Sequence, residues 1–319
     1  MLPRRASDYR TVLWVLMAQV LVVLLYSRPD LARYLWPLSC YFALSCGVIA
    51  HNHNHCPTFR EKWANTAFGM WLSLFYGYPT FAWVPTHNLN HHKYVNAEGD
   101  ATITWRYTNR HNAFVAITYF FVSSYFQSEP INAYIKTARA KKPAVFRRIM
   151  AEYVVWGGGY LSMAALAVAL YGVVPGLKLF ALAVGIPAFF ALWTIMLFNY
   201  DQHVHADSTS KYNHSRSFTS PLLNFLLFNN GYHAAHHEFP GCHWTELEGH
   251  HAALVPNINP VLNQRSLWWY WTKQYLLSPF IPSLGTVQLG PMPGRKAVSS
   301  FLDGGIGEAG DNAERIVPS

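Results

Sequence analysis

The sequence predicts an all-α integral membrane protein: about four transmembrane helices plus a re-entrant hairpin, with a cytoplasmic helical cap that carries clustered histidines. Three observations predict it. Of 319 residues, 51% are hydrophobic and only 13% charged, roughly half the charged fraction of a soluble domain. Several apolar runs approach the ~20 residues that a bilayer span needs. The 16 histidines gather in short boxes at or beyond the ends of those runs.

The first run, TVLWVLMAQVLVVLLYS (11–27), follows MLPRRASDYR. A basic start before an apolar run resembles a signal peptide. This run is long, lacks a small-x-small cleavage site and is followed at once by another, so it reads as a retained helix. The second span covers roughly 32–50 and ends at HNHNH. Spans three and four are read at 151–174 and 177–200, separated by Pro175 and Gly176. The stretch 66–84 could cross once, but Gly77 and Pro79 interrupt it, which favours a dip that returns to the same side.

Arginine and lysine set the orientation. Arg4, Arg5 and Arg10 precede span one, and Arg60, Lys62 and KTARAKKPAVFRR (136–148) lie between spans two and three. The opposite loops hold only Arg28, Arg33 and Lys178. The positive-inside rule places the N-terminus, region 51–150 and the C-terminal third in the cytoplasm. The net charge of +8 then suits an anionic leaflet, and nucleic acid is not needed to explain it. LWWYWTKQYLLSPF (267–280) reads as a helix lying on the membrane surface, or else as core of the cap. The expected organisation is a membrane domain with its cap over 1–285 and a disordered tail over 286–319, where the sequence is glycine-rich and aperiodic. Cys40, Cys46, Cys56 and Cys242 form no CxxC pair, so neither a disulfide framework nor a thiolate metal site is expected.

The histidine spacings carry the chemistry. His51 and His55 are four apart, and on a helix both rings reach one metal; His53 points elsewhere. His87 and His91 repeat the step, with His92 beside them. His233, His236 and His237 fall on one helical face. The neighbours 91–92 and 236–237 diverge in direction, so each pair can serve two metals. One transition metal takes at most about six ligands; eight convergent imidazoles therefore imply two. Span four delivers Asn199 and His203 to the same interface. A metal transporter would hold its ligands near the midplane of the spans, where spans one, three and four carry almost none. A zinc hydrolase would need a base as in HExxH, which is absent.

HxxxH (His51–His55), HxxxHH (His87–His92) and HxxHH (His233–His237) resemble the histidine boxes of the membrane fatty acid desaturase superfamily, which includes alkane hydroxylases and carotenoid ketolases and hydroxylases. The NxxxH of Asn199 and His203 is similar to the extra ligand element of acyl-CoA desaturases, and NYDQH to the NYxxH of alkane hydroxylases. The likeness covers roughly 40–260. The first box is one residue shorter than in stearoyl-type enzymes, and the second has HxxxHH where those have HxxHH, which leans toward bacterial acyl-lipid desaturases and alkane hydroxylases. The resemblance implies two iron ions (Fe2+/Fe3+) held by His51, His55, His87, His91, His92, Asn199, His203, His233, His236 and His237, and O2-dependent desaturation of a long-chain fatty acyl lipid in a bacterial inner membrane. Hydroxylation and terminal-alkene-forming decarboxylation are the alternatives on the same centre. No HPGG signature of a fused cytochrome b5 is present, so electrons would come from a separate ferredoxin, rubredoxin or cytochrome b5. Imidazole ligands take an acceptor on their other nitrogen; Asp201, Asp207 and Glu238 are the candidates, with Asp100 ranked lower. Tyr76, Tyr78, Trp83 and Trp105 are candidate substrate-tunnel residues.

Overall fold

The computed structural model describes residues 2–292, and these are mostly helical. The chain divides into two compact units: one holds the residues up to 84 and 132–195, the other 85–131 and those from 196 on.

In the first unit, the Asp8–Ser27 helix packs on the Ala32–His55 helix, which packs on the Lys62–Tyr76 helix. Indole donors tie them: Trp14 Nε1 to the Tyr41 hydroxyl at 2.8 Å and Trp71 Nε1 to Gln19 Oε1 at 3.0 Å. The Arg4 amide donates to the Thr58 carbonyl at 2.8 Å, so the N-terminus and the exit of the Ala32–His55 helix lie side by side.

Among the described residues, three helices are long and apolar enough to cross a membrane: Asp8–Ser27, Pro143–Tyr171 and Val173–His203. In the most apolar window of Pro143–Tyr171 only 6% of residues are buried, against 39% for Val173–His203. An apolar helix with so few buried residues in that window is suited to lipid, whereas the second has a packed face. The expected second span forms as a helix of 24 residues, Ala32–His55, whose polar ends keep it from the same apolar standard.

Two boundaries differ from expectation. The break between spans three and four falls at Gly172, whose φ of 82° is open to glycine but strained for other residues. Pro175 lies inside the next helix, in its first turn, where the absent N–H has no intrahelical acceptor to lose. The 66–84 stretch is a helix only as far as Tyr76. Gly77, with φ 98°, ends it in the left-handed conformation, and a short turn at Thr80–Ala82 follows. The buried Glu152 carboxylate accepts the Phe81 amide at 2.7 Å and fixes that turn.

A π-helix at Val84–His91 opens the second box, and Ala113–Lys141 is a long helix that begins in the second unit. Ser217–Phe218 and Asn263–Gln264 pair in parallel, a two-residue exception to the all-α expectation. Arg216 lies almost wholly buried over the Tyr270 ring. Its guanidinium donates to the carbonyls of Asp201 and Val204, where the helix carrying His203 ends and its last carbonyls need partners.

The 267–280 segment has two faces. Leu267, Tyr270 and Gln274 are buried, while Trp268, Trp269 and Leu276 are exposed, so it is core on one side and apolar surface on the other. Part of the tail expected to be disordered is packed: the Leu289 amide donates to the His205 carbonyl at 3.0 Å, and the Thr286 amide to Gln274 at 2.8 Å. These turns of chain satisfy backbone groups on both partners, which composition alone does not reveal. The remainder of that tail, 293–319, lies outside the described residues.

Candidate metal centre

The second unit brings the imidazoles of two boxes and the end of an apolar helix together. His203 Nε2 lies 3.0 Å from His91 Nε2, 2.8 Å from His233 Nε2 and 3.2 Å from His237 Nε2, and the last two are 3.1 Å apart. A second group holds three rings, His87, His92 and His236, with Nε2 separations of 3.2, 3.1 and 2.9 Å. Ligands at ~2.1 Å around a cation in octahedral array stand ~3.0 Å apart, so these spacings are those of ligand polyhedra.

Hydrogen alone cannot account for the four-ring group. His91 Nδ1 faces Asp100 Oδ2 at 2.8 Å, and His203 Nδ1 faces the His214 carbonyl at 3.1 Å. Both outer nitrogens therefore carry the proton, which in the neutral rings leaves the inner Nε2 atoms as lone pairs. Two lone pairs 3.0 Å apart repel unless a cation lies between them. A proton could bridge one pair, but His203 Nε2 meets three neighbours. Burial first, and then the positive character of His92, His233, His91 and His203, hold the His237 imidazole well below its usual range, so it too is neutral and able to ligate. Burial pushes the Asp100 carboxyl up, but its pairing with His91 and the hydrogen bonds from Thr102 outweigh it and bring the group down to about 2. The donor set fits metal ions.

The adjacent histidines diverge as their spacing suggests: His91 and His237 join the four-ring group, His92 and His236 the three-ring group. The four-residue step from His87 to His91 does not bring those two to one point. His87 meets His92 instead, five residues on, because Val84–His91 is π-helical and residues five apart become neighbours. In the third box, His233 and His237 share a group at a step of four, and His236 goes to the other. In the first unit, His51 and His55 end the Ala32–His55 helix, buried, with ring centroids 4.9 Å apart. His53 turns away to Thr58 and Asn65.

Asn199 lies one turn before His203 and donates its amide to the Tyr119 hydroxyl at 3.1 Å. His205 has φ 60° and bonds Asn109 and Thr286, so it does not take the place of His203.

The carboxylates are where the sequence misleads. Asp201, expected behind a ligand, faces the C-terminal aromatic segment: Trp271 Nε1 donates to it at 2.7 Å and Tyr275 through its hydroxyl, with His111 Nε2 at 3.5 Å. Two residues along a helix from His203 is the opposite side of the cylinder. Asp207 caps its own turn by accepting from Thr209. Glu238 pairs with Lys211 at 3.3 Å. Asp100 supports His91 instead, with Thr102 bonded to both. The signal was a buried acid within one loop of the second box, too general to rank. Of the tunnel candidates, Trp83 lies 5.1 Å from the His51 ring. Trp105 is tied to the Asn96 carbonyl, and Tyr78 packs on Trp156.

An apolar helix that ends in a cluster of buried imidazoles is compatible with a metal-binding membrane protein. Within that class, the sequence profile of the fatty acid desaturase family matches residues 31–279. That is most of the chain, and the chain belongs to this family, within the membrane fatty acid desaturase and hydroxylase superfamily. Its membership implies an oxidoreductase that uses a lipid substrate and oxygen. Searches of curated proteins and of solved structures find no match.

Proposed function

We propose that the protein is a membrane di-iron oxygenase that desaturates a long-chain fatty acyl substrate with O2 and electrons from a separate ferredoxin, rubredoxin or cytochrome b5. The observation that carries this reading is the pair of inward lone pairs on His91 and His203, each fixed by an acceptor behind it. One ion would sit among His91, His203, His233 and His237. A second would be held by His87, His92 and His236; His51, His55 and Asn199 are further proposed ligands, Asn199 through its Oδ1. Imidazole suits iron, zinc and copper, and zinc has no redox chemistry; bound iron supplies the oxidant for an unactivated C–H bond, which no side chain can.

The chain's own part is to hold and to shield. Asp100 and the His214 carbonyl fix the tautomers and aim the rings. Arg216 secures the helix end that presents His203. Trp83, tilted against His51, belongs to the apolar wall along which an acyl chain approaches from the bilayer. Four crossings, with Ala32–His55 as the fourth and Lys62–Tyr76 as a re-entrant arm, put the boxes on the cytoplasmic side of a bacterial inner membrane.

The test is product analysis. The protein is expressed with iron and a ferredoxin or rubredoxin system, and lipids and headspace are compared with a His236→Ala control. New unsaturated acyl chains absent from the control are expected. Hydroxylated chains or a volatile alkene would keep the metal centre and change the reaction. Wild-type turnover by His236→Ala would overturn the di-metal assignment.

A further inference from the structure

A thiol, a carboxylate and an imidazole outside the boxes also meet. Cys242, Glu246 and His250 each present a ligand atom, and these atoms lie within 4.8 Å of one another. They recur every four residues but on different local structures. Cys242 lies in the turn after the third box, Glu246 closes the turn Trp244–Glu246, and His250 is on the Leu247–Leu254 helix.

Local bonds hold this geometry. The Cys242 amide donates to the Phe239 carbonyl at 3.1 Å and the Glu246 amide to the His243 carbonyl at 2.9 Å. The His243 amide donates to one Glu246 oxygen at 3.1 Å, and a carboxylate has a second oxygen to offer. The His250 ring lies flat on Phe239, with centroids 4.2 Å apart and planes 19° from parallel. The lack of a CxxC pair argued against a thiolate site. The fold supplies what spacing within one motif does not.

We propose that Cys242, Glu246 and His250 form a third metal site, for a thiophilic divalent ion of the zinc type. A thiolate ligand disfavours magnesium and calcium, which take oxygen. Sulfur, nitrogen and carboxylate oxygen together are a zinc donor set, and bonds of ~2.0–2.3 Å put tetrahedral ligands ~3.3–3.8 Å apart. Closing to that spacing from within 4.8 Å is a matter of side-chain torsions. Cys242 and His250 are half-buried and Glu246 is exposed, so the ion exchanges with solvent and a water completes its shell. The ion pins the turn that follows His236 and His237 to the Leu247–Leu254 helix. None of the three residues is a box histidine, so the inference does not depend on the reaction proposed above.

Cobalt titration of the full chain in detergent tests it. Sites made of nitrogen and oxygen ligands give no sulfur-to-cobalt charge-transfer band. That band is expected in the wild type and in His236→Ala, to weaken in His250→Ala and to vanish in Cys242→Ser. In the unsubstituted protein, Zn2+ should slow maleimide labelling of Cys242 about tenfold, and a chelator should restore it, because the metal occupies the thiolate that reacts. No band in the wild type, an unchanged band in Cys242→Ser, or labelling indifferent to Zn2+ would each overturn the site.

Discussion

His91 and His92 are joined by one peptide bond yet differ in almost every physical respect. His91 is 1% exposed, is backed by a carboxylate, and joins a group of four. His92 is half-buried and joins a group of three. The four-ring group draws on three chain segments and is assembled wholly within one unit. The three-ring group draws on two. The difference teaches that a histidine box is not a site. The second and third boxes are distributors: each sends two rings to one group and one ring to the other.

The sharpest way to break that contrast is to remove His203, which meets all three other rings of its group. His203→Ala should abolish product and lower bound iron from about two per chain to one or fewer. Unchanged iron and turnover would show that the four-ring group is not a metal site. Next in size, Asp100→Asn keeps the shape behind His91 and removes the charge, with an expected loss of ~10–100-fold in iron affinity or activity. Wild-type affinity would reduce Asp100 to a loop cap, since it also accepts the Asn96 and Thr102 amides.

Smaller effects test the frame around the rings. Arg216→Met strands the Asp201 and Val204 carbonyls and should lower the Tm of the detergent-solubilised protein by roughly 5–10 °C. A change of under a degree would mean that those carbonyls find other donors.

The smallest effect concerns an imidazole outside both groups. Burial lowers His111 to about 4, against a weaker raising effect of Asp201. Its folded value lies below its unfolded one, so the unfolded chain binds more protons between them. The stability is full above about 6.5 and falls as pH drops toward about 4. His111→Gln should flatten that part of the Tm–pH curve; an equal slope in both proteins would assign it to other groups.

Long apolar helices were legible because hydropathy is additive along a run. The histidines were legible because their spacing is local. Boundaries were less so: Gly172 rather than Pro175–Gly176 ends a span, since a positive φ leaves no compositional mark. The acceptors were the hardest. Asp201 stands two residues from His203, and Asp100 stands nine from His91. Proximity in sequence favoured the wrong one for the ligand pair, because direction around a helix outweighs distance along it. The π-helical turn at Val84–His91 was invisible for the same reason, as its residues fit an α-helix equally well.

The peptide bond between His91 and His92, and that between His236 and His237, have a thermodynamic consequence. In the proposed di-metal centre, an ion captured by either group would order backbone that the other group also uses. The entropy of that ordering is then spent once for two binding events, so the second ion binds more readily than the first. Partial loading is therefore disfavoured at equilibrium: the population should consist mainly of chains with both ions or neither.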